Sequence, residues 1–305
     1  MANLLVSVPI ITYNSSKTIL ETLASVYEQT YKDVELIISD DNSTDGTIDV
    51  CRKWVDEFGN RFVNVKILTS DKNTGVSANI NRADDACSSE WVKGLAGDDV
   101  LLPDCIETFV KYIICNPDTI VVFGKMVGFG RSKEEVEEYM QRCFDYSIFE
   151  LSAYEQYHRL LFKGNCLPAP TLFYNIKRLR KLGVSNDERI PMVEDYPKWL
   201  ALTKIGIRLI LIDKTVVKYR LSDMSLSTSY IPNEKSKVSN SLIYIYYKFE
   251  PRFIYFKSPI KKLGEIRKYI YAANTAWGGL GWRILKCVDS CLANLLNFLG
   301  FHIKL

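Results

Sequence analysis

Three observations in the sequence predict an α/β fold, a mostly parallel sheet with helices on both faces. Short apolar runs of strand length alternate with longer stretches of helical periodicity between residues 4 and 115. The first run, rich in Val and Ile, has the pattern of a strand buried on both faces rather than the alternation of a half-exposed sheet. Each run ends in a polar cluster suited to a strand-to-helix connection. At 305 residues and 47% hydrophobic composition the chain can bury a sizeable core.

The elements follow in order. Residues 4–12 (LLVSVPIIT) form the first strand, with Asn14 or Ser15 placed to cap the next helix. Ile19, Leu20, Leu23, Val26 and Tyr27 fall on one face of that helix. Residues 34–39 form the second strand, and the polar cluster DDNSTDGT leads into a helix through Val50, Trp54 and Val55. Residues 64–68 read as a third strand, 76–86 as a helix, 91–95 as a fourth strand, and 105–115 as a helix following Pro103. A run of βα units of this kind implies parallel strands covered by their crossover helices.

Composition narrows the function classes. Thirty-nine Lys and Arg against 36 Asp and Glu give a net charge of +3, too nearly neutral to indicate a nucleic-acid partner. The eight cysteines are scattered without a CxxC pair and there are two histidines, so buried reduced thiols are expected rather than a zinc site or disulfide framework. The opening MANLLVSVPIITYN lacks a basic segment, a long apolar segment and a small-residue cleavage site. No secretory signal is read there, and a cytoplasmic location is expected.

In parallel α/β sheets, ligands bind at the carboxyl ends of the strands. Three loops reach that edge: TYNSS (12–16), DDNSTDGT (40–47) and AGDD (96–99). None is GxGxxG or GxxxxGK[ST], so neither a dinucleotide fingerprint nor a phosphate-cradling loop is present. Carboxylates dominate instead. Asp98 and Asp99 stand side by side, where like charges repel and resist burial, so they lie either in a solvated turn or around a cation. A phosphate beside such loops needs a divalent cation as intermediary, and hard oxygen ligands suit Mg2+ or Mn2+.

The stretches VSVPIITYNSSKTILETLASVYEQTYKDVELIISDDNSTDGT, GVSANINRADDACSSEWVKGLAGDDVLLP and MVEDYPKWLALTKIGIRLILIDKTVVKYRLSDMSLS, taken in order over residues 4–228, resemble glycosyltransferase family 2. The resemblance implies a GT-A, Rossmann-like nucleotide-binding domain over residues 1–230. It also implies inverting transfer of a single sugar from a nucleotide sugar, a UDP-sugar by preference, in bacterial polysaccharide assembly such as O-antigen or capsule. It places Pro9, Thr12, Tyr13, Asn14, Asp41 and Asp98 at the nucleotide, with Tyr13 stacking on the base and Asp41 accepting its N–H. Asp40 supports the loop. Asp99, with Asp98, would hold the divalent metal (Mn2+ or Mg2+). Asp195 would be the general base and Glu194 its orienting neighbour, ahead of an amphipathic helix through Trp199, Leu200 and Leu202, although two acids at a helix start also suit the helix dipole.

The chain departs from the family pattern at three places. Ala96 replaces the first Asp of DxDD, Ile80 an Arg, and Ser222 a His, leaving a reduced set of carboxylates and phosphate contacts. Residues 131–190 are assigned to the acceptor, with Asn165, Pro168, Pro170 and Thr171 in a loop that resembles the family's acceptor segment. His158 reads as structural and the run KRLRK at 177–181 as a solvated helix face. A sugar nucleotidyltransferase and a noncatalytic carbohydrate-binding protein remain as other classes.

Residues 231–305 read as a helical extension. From 233 onward it carries 12 Lys and Arg against 4 acids, dense aromatics in IYIYYKFEPRFIYF, then Trp277 and Trp282. Its last apolar stretch, 290–303, is shorter than the roughly 20 residues a membrane span needs. Basic side chains interleaved with Tyr, Trp and Leu suit a peripheral helix on the inner face of the cytoplasmic membrane, where a lipid-linked saccharide acceptor would lie. The other reading is a packing or oligomer surface.

Overall fold

The structure, a computed structural model, describes residues 4–190, 192–222 and 234–277. It forms two compact units, Met1–Tyr230 and Ile231–Leu305. In the first, a nine-stranded sheet has the order β3-β2-β1-β4-β8-β7-β9-β6, with β5 also pairing β1. The amino-terminal strands are β1 (Val6–Thr12), β2 (Val34–Asp40) and β3 (Asn64–Thr69), all parallel. They alternate with α1 (Ile19–Tyr27), α2 (Thr47–Phe58) and α3 (Val76–Ala86). Every residue of β2 is buried, including Glu35, whose carboxylate is met by Lys66 Nζ at 3.0 Å and Ser7 Oγ at 2.6 Å.

The fourth predicted strand is broken in two. β4 (Trp91–Val92) pairs Val6 and Ser7 of β1, and β5 (Leu95–Ala96) pairs Ile10 and Ile11. Pro9 sits opposite the gap. The Lys93 N–H reaches the Ser7 carbonyl at 2.9 Å, but Pro9 has no N–H to continue the ladder. Pro9 is buried inside β1, three residues before its end. The structure therefore gives it a part in shaping the sheet and does not group it with the loop residues.

The rest of the unit comprises β6 (Val100–Leu101), α4 (Cys105–Cys115), β7 (Val121–Phe129), α5 (Lys133–Cys143), α6 (Ala153–Lys163), β8 (Phe173–Asn175), α7 (Ile176–Lys181), α8 (Asp195–Lys204) and β9 (Ile210–Arg220). β8 runs antiparallel to β4 and β7, and β6 antiparallel to β9, so the mostly parallel sheet has antiparallel joints. Three expectations need correction. Asn14 and Ser15 do not cap α1, whose flanking residue is Thr18 and which has no side-chain cap. Leu20 and Tyr27 are exposed, although Tyr27 packs edge-on against Trp54 and Phe58. α8 is not amphipathic: Tyr196, Lys198, Trp199, Leu200, Leu202 and Thr203 are all buried.

The second unit contains α9 (Glu234–Ile243), a π-helical turn Tyr244–Lys248, α10 (Phe249–Tyr255) and α11 (Pro259–Trp277). Buried Glu265 ties it together, accepting from Arg252 Nε at 2.8 Å, Tyr244 Oη at 2.5 Å and Lys268 Nζ at 2.9 Å. Burial acts to raise its carboxyl, but these donors outweigh it and bring the pKa down to about 2. Among the described residues, no helix is long and apolar enough to cross a membrane. Trp282 and the 290–303 stretch lie outside the described residues.

Candidate functional site

The sheet register brings the three loops to one edge. Thr12 pairs with Asp40 and Ile11 with Ala96, so TYNSS, DDNSTDGT and AGDD leave adjacent strand ends. Gly97 seals the contact between the first and third loops: its N–H donates to the Ile11 carbonyl at 2.9 Å, and its carbonyl accepts from Thr18 Oγ1 at 2.8 Å. A Cβ there would lie 2.9 Å from Thr12 Cγ2, which is why glycine stands before the two aspartates.

Most of DDNSTDGT builds the loop. Asp40 accepts from Thr12 Oγ1 at 2.8 Å and from the Ser43 N–H at 2.9 Å, the supporting part expected of it. Asp45 accepts from the Thr47 and Ser16 N–H groups at 3.1 and 3.0 Å. Those bonds outweigh its burial and take its carboxyl to about 2. Asn14 has a φ of 52°, which asparagine tolerates, and its Oδ1 accepts from the Thr44 N–H at 2.9 Å. Tyr13, between these anchors, is 49% exposed, so its ring stands in solvent and does not pack inside.

Asp41 is turned inward. Its Oδ2 accepts from the Thr74 and Gly75 N–H groups at 2.9 and 2.8 Å, and its Oδ1 from Thr74 Oγ1 at 2.6 Å and Arg82 Nη2 at 2.9 Å. Four donors fill both oxygens, so the carboxylate secures the start of α3 and has no lone pair left for a base N–H. Arg82 was not singled out from the sequence. Its place, two residues after Ile80 on α3, was the available signal.

Asp98 and Asp99 end the third loop. Asp99 is 1% exposed; its Oδ1 accepts from the Arg220 N–H at 2.9 Å and its carbonyl from Thr22 Oγ1 at 2.8 Å. Arg220, also missed in the sequence, directs Nε to the Asp98 carbonyl at 2.8 Å and Nη2 to Glu21. Its guanidinium lies 4.3 Å from the Phe129 ring centre. Burial, then the neighbouring Asp98 charge, pushes Asp99 well above the usual carboxylate range, and burial also raises Asp98. Among the described residues neither carboxylate forms an ion pair, and no group of three His, Cys, Asp or Glu could hold a metal. Two adjacent carboxylates, Asp99 buried and Asp98 half-buried, with no ion-pair partner among the described residues, fit a divalent ion that takes one or two protein ligands and completes its shell with phosphate and water.

Asp195 opens α8. Its Oδ2 accepts from Asn165 Nδ2 at 2.7 Å and Trp199 Nε1 at 3.3 Å, and its Oδ1 from the Tyr196 N–H at 2.7 Å. Burial raises its pKa against these bonds. Burial, followed by the Asp195 charge, carries Glu194 up to about 7. The segment before this pair is fastened to α3, where Ser77 Oγ donates to the Ile190 carbonyl at 2.6 Å and Asn81 Nδ2 to the Asn186 carbonyl at 3.0 Å. Thus α3 bears on both Asp41 and the approach to Asp195. The His158 ring stacks on Phe162 and lies tilted against Tyr154, a structural setting. The 177–181 run is mostly exposed, with Leu179 buried beneath it.

Residues 7–177 match the family model described as glycosyl transferase family 2. The chain is 26% identical over 268 residues to the UDP-Glc:alpha-D-GlcNAc-diphosphoundecaprenol beta-1,3-glucosyltransferase WfgD of Escherichia coli, covering 81% of this chain and 92% of that protein. Its fold is similar to Staphylococcus aureus TarS 1–349 in complex with UDP-GlcNAc, with a TM-score of 0.63, 20% identity, and coverage of 90% and 74% of the two chains. It is similar also to the mannosyltransferase PcManGT of Pyrobaculum calidifontis in complex with GDP-Man and Mn2+, with a TM-score of 0.55, 17% identity, and coverage of 94% and 80%.

Proposed function

Because the chain belongs to glycosyl transferase family 2 and is a glycosyltransferase, we propose that it transfers one sugar, with inversion, from a UDP-sugar to a saccharide hydroxyl in surface polysaccharide assembly. The observation that carries the reading is the pair of adjacent carboxylates, Asp99 buried and Asp98 half-buried, at the carboxyl edge of the sheet, beside a loop that presents an exposed tyrosine. Thr12, Tyr13 and Asn14 form the base-binding loop, with the Tyr13 ring available to stack. Asp41 secures the start of α3 by holding Thr74, Gly75 and Arg82. Asp98 and Asp99 would hold Mg2+ or Mn2+, which when bound stabilises the negative charge of the departing diphosphate.

Asp195 takes the proton of the acceptor hydroxyl. Asn165 and Trp199 orient its Oδ2, and Glu194 supports it with a second raised carboxyl. One base opposite one leaving group gives a single displacement, hence inversion. The diphosphoundecaprenol in the WfgD name and the UDP-GlcNAc in the TarS complex support a lipid-linked acceptor and a UDP-linked donor.

A lipid-linked acceptor asks for a membrane-facing surface, and we place peripheral contact on the second unit. At the α10–α11 junction, Ile254 is 68% and Ile260 59% exposed within IYFKSPIKK, a stretch with three lysines and no acid. Exposed isoleucines among lysines match an anionic headgroup layer. Two variants test the proposed function. Asp99→Ala should stop transfer while leaving the fold intact, and Ile254→Glu with Ile260→Glu should release the protein from anionic vesicles without lowering transfer to a soluble acceptor. Full transfer by Asp99→Ala would refute the site assignment.

A further inference from the structure

Arg220 is the last residue of β9 and pairs with Phe129 at the end of β7. The two strands are parallel, so both ends arrive together beside the loop of Asp98 and Asp99. Three contacts fix the guanidinium there: Nε donates to the Asp98 carbonyl at 2.8 Å, Nη2 donates to Glu21, and the Phe129 ring centre lies 4.3 Å away. The Arg220 backbone N–H donates to Asp99 Oδ1 at 2.9 Å. One residue is therefore bonded to both aspartates of the loop.

A residue that only tied the loop to β9 would need no more than this. Nη1, however, forms no hydrogen bond among the described residues, so one edge of the fork keeps its N–H groups unused. The side chain is 18% exposed and so reaches solvent. Its charge is permanent, because arginine does not deprotonate in proteins. Glu21 pairs with it, but the Glu21 side chain is 55% exposed, and a water-screened contact of that kind orients the fork more than it cancels the charge. On the metal reading given above, two ionised carboxylates offset a divalent ion, and a donor diphosphate brings further negative charge to the same edge. None of the three edge loops is a Gly-rich cradle that could meet it with backbone N–H groups.

We propose that Arg220 is a donor-binding residue whose Nη1 edge donates to the diphosphate of the nucleotide sugar. The role rests on the donor-site reading given above and adds a contact that needs no metal. As the acceptor oxygen bonds to the anomeric carbon, the bond from that carbon to the phosphate oxygen breaks. Its electron pair stays on the diphosphate, and the acceptor proton goes to Asp195. A guanidinium fork meets phosphate oxygens with parallel N–H bonds, where an ammonium offers only a point charge.

The test is equilibrium binding of UDP and of uridine to the full chain, for wild type and Arg220→Met, once with Mn2+ and once in chelator. In chelator, wild type should prefer UDP to uridine. Arg220→Met should lose about tenfold to a hundredfold of that preference, with uridine affinity unchanged. A preference retained by Arg220→Met overturns the proposal, and so does an equal loss for UDP and uridine, the result a merely loop-tying arginine would give. A wild-type preference that appears only with Mn2+ overturns it too, since the metal would then hold the diphosphate alone. If Arg220→Met does not fold, Arg220→Gln, which keeps a donor for the Asp98 carbonyl and removes the charge, carries the same expectation and the same refutations. Absence of any preference for UDP by wild type with Mn2+ would instead remove the diphosphate site itself, and the proposal with it.

Discussion

At the residue scale, each carboxylate is defined by what surrounds it. Asp40, Asp41 and Asp45 accept many hydrogen bonds and build loops, whereas Asp98, Asp99, Glu194 and Asp195 have carboxyls raised by burial. Groups of the second kind are poised to meet a cation or a proton. Asp195→Asn keeps the shape and loses the acceptor of the proton. Turnover should fall about a hundredfold to ten-thousandfold with UDP binding preserved, and a loss below tenfold would move the base to another group. A raised carboxyl is protonated at higher pH than usual. With Glu194 at about 7 and Asp195 raised beside it, kcat/KM should decline as pH falls through about 7 and level off above it. A profile flat from pH 8 to pH 5 would contradict an active base in this pair.

Elements place those residues, and here the sheet edge is decisive. Gly97→Ala puts a methyl 2.9 Å from Thr12 Cγ2 and 3.1 Å from Ser15 Oγ, so the AGDD and TYNSS loops must part. UDP affinity should drop about tenfold to a hundredfold without unfolding, as equilibrium binding and circular dichroism would show. In the second unit, Glu265→Gln removes the charge shared by Arg252, Tyr244 and Lys268 and should cost about 2–4 kcal/mol in a denaturant titration. Because the folded pKa of Glu265 is depressed, its contribution is present above its ordinary value of 4.5 and is lost as pH falls toward about 2.

The first three βα units were legible because short, mainly apolar runs and 3.6-residue periodicity act locally, and residues 76–86 and 105–115 became helices with those bounds. The break at Lys93 depends on a proline in a different strand. That is a pairing effect, which no local window contains. The inward turn of Asp41 likewise needs Thr74 and Arg82, 33 and 41 residues away. The buried character of α8 escaped notice because Lys198 and Thr203 look like a solvent face until α6 and β8 lie against it; the Tyr196 Oη to Leu160 carbonyl bond and the Lys198 ammonium over the Tyr174 ring record that packing. Ordered motifs, not periodicity, located the carboxylates.

At the scale of the whole molecule, charge is divided between the units. Residues 233–305 carry +8 and the remainder −5. One chain carrying an acidic amino-terminal unit and a basic, aromatic carboxy-terminal one suits an enzyme whose donor comes from solution and whose acceptor is held in a lipid layer. Vesicle sedimentation should show retention on anionic lipid that weakens with salt, and a protein left in the supernatant at low salt would make the basic unit a packing element. The central claim, metal-assisted sugar transfer at Asp98 and Asp99, is tested most directly by incubating the full chain with a panel of nucleotide sugars and Mn2+ and measuring released nucleoside diphosphate. Release from a UDP-sugar that ends with chelator and is absent in Asp99→Ala is the result predicted here, whereas release that persists undiminished in chelator and in Asp99→Ala would contradict it.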